Sequence, residues 1–322
     1  MPDSTRPLIV VPGDDPPQIA GSPRLDELRE YGDVELYEDR PPTQAEQLER
    51  VADATAIINS RGQVKWPDEL LRQLPNLKMM TVCGIGTDSI DLDVARELGI
   101  VVSNIPGKTA PVVAEHAFAL MNAISRRTSY LTTEMKAGRW PRLLATSLIG
   151  KTLGVVGTGN IGCEMIRLSK AIGMNVIAWS FHPAAKKAER LGFEYVELDD
   201  LLQQSDVVSV HVKLTDDSRN LIAHREIALM QPGSLLVNTA RGAIVDSGAL
   251  VTALNSDHLA GAALDVFDTE PIPADHPLLD CEQVVLTPHC ADQTPEGIDL
   301  LNQGCVENVI AFFDGSPRNV VT

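Results

Sequence analysis

Short apolar runs alternate with amphipathic stretches along almost the whole chain. In the first hundred residues PLIVV, VELYE, TAIIN, KMMTV and GIVVSN read as strands, and residues 25–31, 43–52, 67–74 and 92–98 between them read as helices. Alternation at this spacing predicts a parallel sheet covered by helices. A break falls at Ile105, Pro106 and Gly107. Beyond it residues 110–126 are apolar almost all round, which predicts a long buried helix, continued by the more polar 127–140 towards a turn at Gly138. A second alternating series starts at Lys151 and includes VVSVHV, SLLVNTA, GAALDVF and QVVLTPH. The fold class is therefore α/β, with two doubly wound parallel-sheet units. Residues 294–314 read as a closing helix without a strand of its own, expected to pack back on the first unit.

One strand of the second series leads straight into a glycine-rich turn, LGVVGTGNIG at residues 153–162. Gly157, Gly159 and Gly162 fit G-x-G-x-x-G, a helix is expected over 163–174, and a second strand follows at 175–179, so the β-α-β context is complete. The first glycine allows the tight turn and the second lets the backbone approach a pyrophosphate. The third lets helix and strand pack closely, with the helix N-terminus facing the phosphates. A dinucleotide site is predicted there, with Asn160 and Ile161 in the same turn.

Length and composition narrow the class further. A chain of 322 residues suits two domains. At 44% hydrophobic residues, with no apolar run approaching 18, no membrane span is expected. The start, MPDSTRPLIVV, lacks the basic head and long apolar core of a secretory signal, so a cytoplasmic location is expected. The net charge of −17, from 44 acidic against 27 basic residues, repels phosphodiester backbones and argues against nucleic acid as a partner. It fits a solvated acidic surface, and leaves open a high-salt habitat. The five cysteines are odd in number, scattered and never in a C-x-x-C pair, which argues for reduced thiols and against a metal site or a disulfide framework.

Three polar residues fall just past the ends of apolar strands, at the edge where open α/β sheets bind ligands: Arg241, Glu270 and His289. Singly, each also fits a structural role: a turn arginine, a polar residue before Pro271, a packed histidine. As a set they suit interconversion of a 2-hydroxy acid and a 2-oxo acid. A guanidinium can hold the carboxylate and carbonyl, and a histidine can protonate the carbonyl oxygen as hydride reaches carbon. A neighbouring carboxylate favours the imidazolium. Of the other histidines, His116 reads as packed or interfacial, His211 as close to an adenosine pocket, and His224, His258 and His276 as surface residues. Arg61, after the TAIIN strand, fits substrate contact and a solvated loop equally well.

The order and wording of these motifs resemble the D-isomer-specific 2-hydroxyacid dehydrogenases, the family that includes phosphoglycerate, glyoxylate/hydroxypyruvate, D-lactate, formate and phosphite dehydrogenases. The resemblance covers essentially the whole chain and is carried by CGIGTDSIDL, VAEHAFAL, GTGNIG, NTARGAIVD, ALDVFDTEP and LTPH. It implies Arg241, Glu270 and His289 as catalytic arginine, glutamate and proton-donating histidine, acting on a small 2-oxo or 2-hydroxy acid with NAD or NADP. It implies Gly84, Ile85 and Gly86 as the amide loop for the substrate carboxylate. Asp265 would meet the nicotinamide carboxamide, and Thr239 and Ala240 complete the cofactor set. The implied architecture is a Rossmann cofactor domain, 104–289, inserted in a flavodoxin-like substrate domain, 1–103 plus 290–322. The family's usual homodimer would use the long helix and the region 125–144.

Two positions depart from the family pattern. Where NAD-specific relatives carry an aspartate after the second strand of the β-α-β unit, this chain has Ser180, followed by Phe181 and His182. NADP use is thereby open, with Ser180, His182 and Lys186 as phosphate partners but no arginine. Lys213 replaces a common proline after the VSVH strand. The rival readings are a phosphite-type dehydrogenase and a nucleotide-sensing interaction module like the co-repressors of this fold. A formate enzyme is disfavoured, because those carry glutamine where Glu270 stands.

Overall fold

The computed structural model describes residues 6–62 and 64–322, which form two compact units: the described residues up to Thr109 together with Gln293–Thr322, and Ala110–Asp292. In the first unit β1 (Leu8–Val11), β2 (Asp33–Leu36), β3 (Ala56–Asn59), β4 (Met79–Val82) and β5 (Val101–Ser103) form one parallel sheet in the order β2-β1-β3-β4-β5. This is the flavodoxin-like doubly wound order. Helices α1 (Leu25–Leu28), α2 (Gln44–Val51), α3 (Asp68–Leu71) and α4 (Leu92–Glu97) link the strands. Side chains alternate across the sheet with a period of two. Val10, Ile57, Met80 and Val102 enter one core, while Ile9, Val11, Ala56, Ile58 and Met79 enter the other. Burial on both faces explains why these strands read as unbroken apolar runs. The second face is covered by the C-terminal helix Pro295–Phe313, through Leu301, Cys305, Val306 and Val309.

The second unit holds β6 (Thr152–Val156), β7 (Asn175–Trp179), β8 (Glu194–Tyr195), β9 (Val207–Val210), β10 (Ser234–Asn238), β11 (Leu259–Leu264) and β12 (Val284–Leu286). Their parallel order, β12-β11-β10-β9-β6-β7-β8, is the Rossmann arrangement extended by one edge strand. Its helices are α5 (Ala110–Ser125), α6 (Thr128–Lys136), α7 (Asn160–Ala171), α8 (Ala185–Leu191), α9 (Leu198–Gln204), α10 (His224–Leu229) and α11 (Ser247–Asn255). The apolar α5 buries Ala117, Leu120, Met121 and Ile124 in one core with Leu153, Val155, Met165 and Ile166 of β6 and α7.

Three local features differ from the sequence expectation. The helix over 110–126 does not run on to 140: Arg127 takes a left-handed conformation (φ 51°), its guanidinium sits 4.7 Å from the Tyr130 ring centroid, and a separate helix, α6, begins. Helix α7 starts at Asn160, three residues before the expected Cys163, because the glycine turn itself feeds the first helical turn. The two-residue β8 is too short to leave a periodic signature. Among the described residues no helix is long and apolar enough to cross a membrane.

Candidate active site

Strand β6 ends at Val156, and the glycine turn that follows shows why each glycine is needed. Gly157 has φ +101°, and a Cβ there would lie 2.8 Å from the His211 carbonyl. At Gly162 a Cβ would come within 2.0 Å of the Gly157 oxygen. At Gly159 a Cβ would meet no atom within 4 Å, so this glycine opens on space that a pyrophosphate can approach. Gly159 also forms the N-cap of α7 and supplies no side-chain cap, so the first N–H groups and the positive end of the helix dipole face that opening.

The turn is also tied down from α8 and from the edge strand β8. Lys187 Nζ donates to the Thr158 carbonyl at 2.6 Å, and the Thr158 hydroxyl shares a 2.7 Å hydrogen bond with Tyr195. Lys187 was not anticipated; its neighbour Lys186 is exposed. His211 is half-buried, its ring 2.8 Å from the Ser209 hydroxyl, and desolvation pushes its pKa down to about 4, so it is neutral at pH 7. After β7, Ser180 accepts the His182 N–H at 3.3 Å, and Trp179 and Phe181 stack edge to face. The turn thus offers a hydroxyl and an imidazole, but no carboxylate. At the end of β10 the Thr239 hydroxyl is buried with no hydrogen-bond partner in the protein, which suits a group awaiting a cofactor contact. The residues present fit a dinucleotide.

Arg241, Glu270 and His289 all belong to this second unit, in the segments that follow β10, β11 and β12. The buried Asn238 shapes the arginine turn: its amide donates to the Arg241 carbonyl at 2.9 Å and its oxygen accepts from the Ala240 N–H at 3.0 Å. Arg241 Nη1 donates to the Ala240 carbonyl at 2.7 Å. His289 Nδ1 meets Glu270 Oε2 at 2.7 Å, while Glu270 Oε1 accepts from the Phe267 N–H at 3.0 Å. Burial pushes the Glu270 carboxyl up. The His289 and Phe267 hydrogen bonds, with the positive fields of His289 and Arg241, outweigh burial and hold it below the usual glutamate range.

Asp265, at the end of β11, is fully buried behind this pair. Its Oδ1 accepts from the Thr287 hydroxyl at 2.5 Å and the Cys290 N–H at 3.0 Å, and its Oδ2 accepts from the Ala291 N–H at 3.0 Å. With the Thr287 proton so directed, His116 Nε2 donates to Thr287 Oγ1 at 3.1 Å and lies 3.4 Å from the carboxylate. Burial favours the neutral acid, but His116, Thr287 and the Cys290 N–H favour the charge more strongly, and Asp265 is held below the usual aspartate range. The carboxylate therefore anchors the segment on both sides of His289, itself at φ +51°. Sequence reasoning missed this use of His116, whose partners lie far along the chain, and missed Asn238, whose bonds to the Arg241 carbonyl and Ala240 N–H are local but leave no mark on composition.

In the first unit the 84–86 loop follows β4. The Gly84 N–H donates to the Val82 carbonyl at 2.9 Å. The Gly84 carbonyl accepts from the Ile105 N–H at 2.8 Å, and the Ile85 carbonyl accepts from Asn104 Nδ2 at 2.8 Å. In a trans peptide the N–H points opposite to its C=O, so the Ile85 and Gly86 amides face away from these anchors. Asn104, itself held by Asn308 at 2.9 Å, was likewise not anticipated. Arg61 lies in a short 3-10 turn after β3 at φ 52°.

Comparison with known proteins finds relatives along nearly the whole chain. The family model for the D-isomer specific 2-hydroxyacid dehydrogenase, NAD binding domain, matches residues 118–291. A glyoxylate reductase of Aeropyrum pernix is 40% identical over 311 residues, covering 92% of each chain. The crystal structure of a glyoxylate reductase from Paecilomyes thermophila superposes with a TM-score of 0.90 at 30% identity, over 100% of this chain and 99% of that one. An acyclic imino acid reductase in complex with NADPH and D-Arg gives a TM-score of 0.89 at 26% identity, over 98% of this chain and 100% of that one.

Proposed function

Since the chain belongs to the D-isomer-specific 2-hydroxyacid dehydrogenase family, whose members move a hydride between NAD(P) and a 2-hydroxy/2-oxo acid pair, we propose that it reduces a small 2-oxo acid such as glyoxylate, with Arg241, Glu270 and His289 as the catalytic set. The observation that carries this assignment is the 2.7 Å bond between Glu270 and His289, with the Arg241 charge acting on the same carboxylate. Bound NAD(P)H supplies the hydride. Glu270 occupies Nδ1 of His289 and fixes the ring, so proton delivery to the substrate oxygen falls to Nε2. Arg241 pairs with the substrate's oxygens through its planar fork. Ile85 and Gly86, with Arg61, are assigned to the substrate carboxylate. The turn Gly157, Gly159, Asn160, Ile161 and Gly162 is assigned to the pyrophosphate, and Ser180 with His182 to the adenosine end. Thr239, Ala240 and Asp265 are assigned to the nicotinamide end. On this reading the second unit is the cofactor domain and the first the substrate domain. The chain works as a homodimer joined through α5 and the 125–144 region, where Trp140 and Leu144 are exposed.

The test is turnover of a panel of 2-oxo acids with NADH and with NADPH. Glyoxylate reduction is expected, and His289→Ala should lower kcat by roughly a hundredfold or more, the scale of a lost proton donor. No turnover of any panel member with either cofactor overturns the enzymatic assignment, and near-normal turnover by His289→Ala overturns the role given to His289.

A further inference from the structure

Cys83 and Cys305 are 222 residues apart in sequence, yet their sulfurs stand 2.6 Å from one another in the interior of the first unit. Cys83 directly follows β4 and directly precedes the 84–86 loop, and Cys305 lies midway along the C-terminal helix. The two residues are 3% and 0% exposed, in one core with Val11, Ile58, Met79 and Leu301. Neither takes part in the chemistry described above. Two thiols can share a weak hydrogen bond. Non-bonded heavy atoms rest at about 3.5–4.0 Å, however, so this contact is closer than a thiol pair comfortably holds. A small shift brings the sulfurs to the ~2.05 Å of a covalent bond.

We propose that Cys83 and Cys305 are a redox-active pair that closes to a disulfide, fastening the stem of the 84–86 loop to the C-terminal helix. The oxidant is a small peroxide. The Cys83 sulfur attacks one peroxide oxygen and becomes a sulfenic acid as the other oxygen leaves as water. The Cys305 sulfur then displaces the sulfenic oxygen as a second water. In sum two thiols and one hydrogen peroxide give one cystine and two waters, the peroxide taking both electrons. Cys83 is assigned the first step because it is the residue of the two that keeps a small exposure. Contact with Cys305 and burial hold its thiol well above the ordinary range, which makes closure slow and dependent on peroxide dose. The cross-link reinforces a strut already present: Asn308, three residues after Cys305, holds Asn104, whose amide holds the Ile85 carbonyl.

The test treats the reduced full chain with a few equivalents of hydrogen peroxide, alkylates it, and digests it without reduction. The expected product is a single Cys83–Cys305 peptide pair, with two of the five thiols lost. The apparent Tm should rise by about 4 °C or more, and dithiothreitol should reverse the rise. Cys83→Ala and Cys305→Ala should each show no Tm response to peroxide. Should either variant fail to fold, the peptide map of the wild type decides alone. Five intact thiols after treatment, recovery of Cys83 as a sulfinic acid, linkage of either cysteine elsewhere, or a Cys83–Cys305 bond with no change in Tm overturns the proposal.

Discussion

Asp265 faces inward, and its carboxylate gathers Thr287, Cys290 and Ala291 around the histidine that lies between them. An amide in its place presents an N–H to a backbone N–H at one of the two oxygens. Asp265→Asn should therefore cost roughly 2–3 kcal/mol of stability at pH 7 in urea titrations. Its folded carboxyl titrates below the ordinary value of 3.8, so the carboxylate's contribution is complete above that value and is lost as pH falls through the lower folded value. The gap between wild type and variant should hold above the ordinary value and close only as pH falls below it; a gap indifferent to pH would place the effect elsewhere. Ser180 poses the opposite case, a missing charge. For Ser180→Asp the ratio of kcat/KM for NADH over NADPH should rise at least about tenfold, equivalent to ~1.4 kcal/mol, when both are measured at one ionic strength. A wild type that already rejects NADPH strongly would show that another feature selects the cofactor. Glu270 and His289 were legible in sequence because each stands in a distinctive local phrase. Asn238, Asn104 and Lys187 were not, since an asparagine or lysine near a turn looks the same whether or not it holds a carbonyl.

At the scale of elements, the start of α7 separates two kinds of glycine. Gly159→Ala adds a methyl to open space, so thermal stability should stay close to wild type while cofactor binding weakens by about tenfold or more by fluorescence titration. Gly162→Ala drives a methyl into the Gly157 oxygen and should lose stability by 3 kcal/mol or so before binding is considered. Equal stability of the two variants would contradict this division of roles. The sequence read the alternating strands well, because doubly buried parallel strands are continuous apolar runs. It read helix limits less well. Nothing in the composition of 110–140 marks Arg127 as left-handed, and a glycine turn that doubles as a helix N-terminus hides the first three residues of α7.

Across the whole molecule, a net charge of −17 keeps chains apart, yet Trp140 (74% exposed) and Leu144 (102%) stand out from the 139–148 stretch. Such a patch on a strongly acidic protein calls for cover. Leu144→Asp should shift the mass measured by light scattering from two chains towards one, and a wild type that runs as a single chain would remove the dimer from the proposal. The C-terminal helix carries a different consequence, one that concerns how the protein is made. The sheet face bearing Ile9, Val11, Ile58 and Met79 is closed by residues of Pro295–Phe313, with Ala110–Asp292 intervening in the chain. A ribosome adds about 5–20 residues per second, so the first sheet must wait on the order of ten seconds or more, with that oily face uncovered, while the intervening unit is translated and begins to fold by itself. The unit that emerges first is the last to be finished, and during that interval it is a natural client for chaperones.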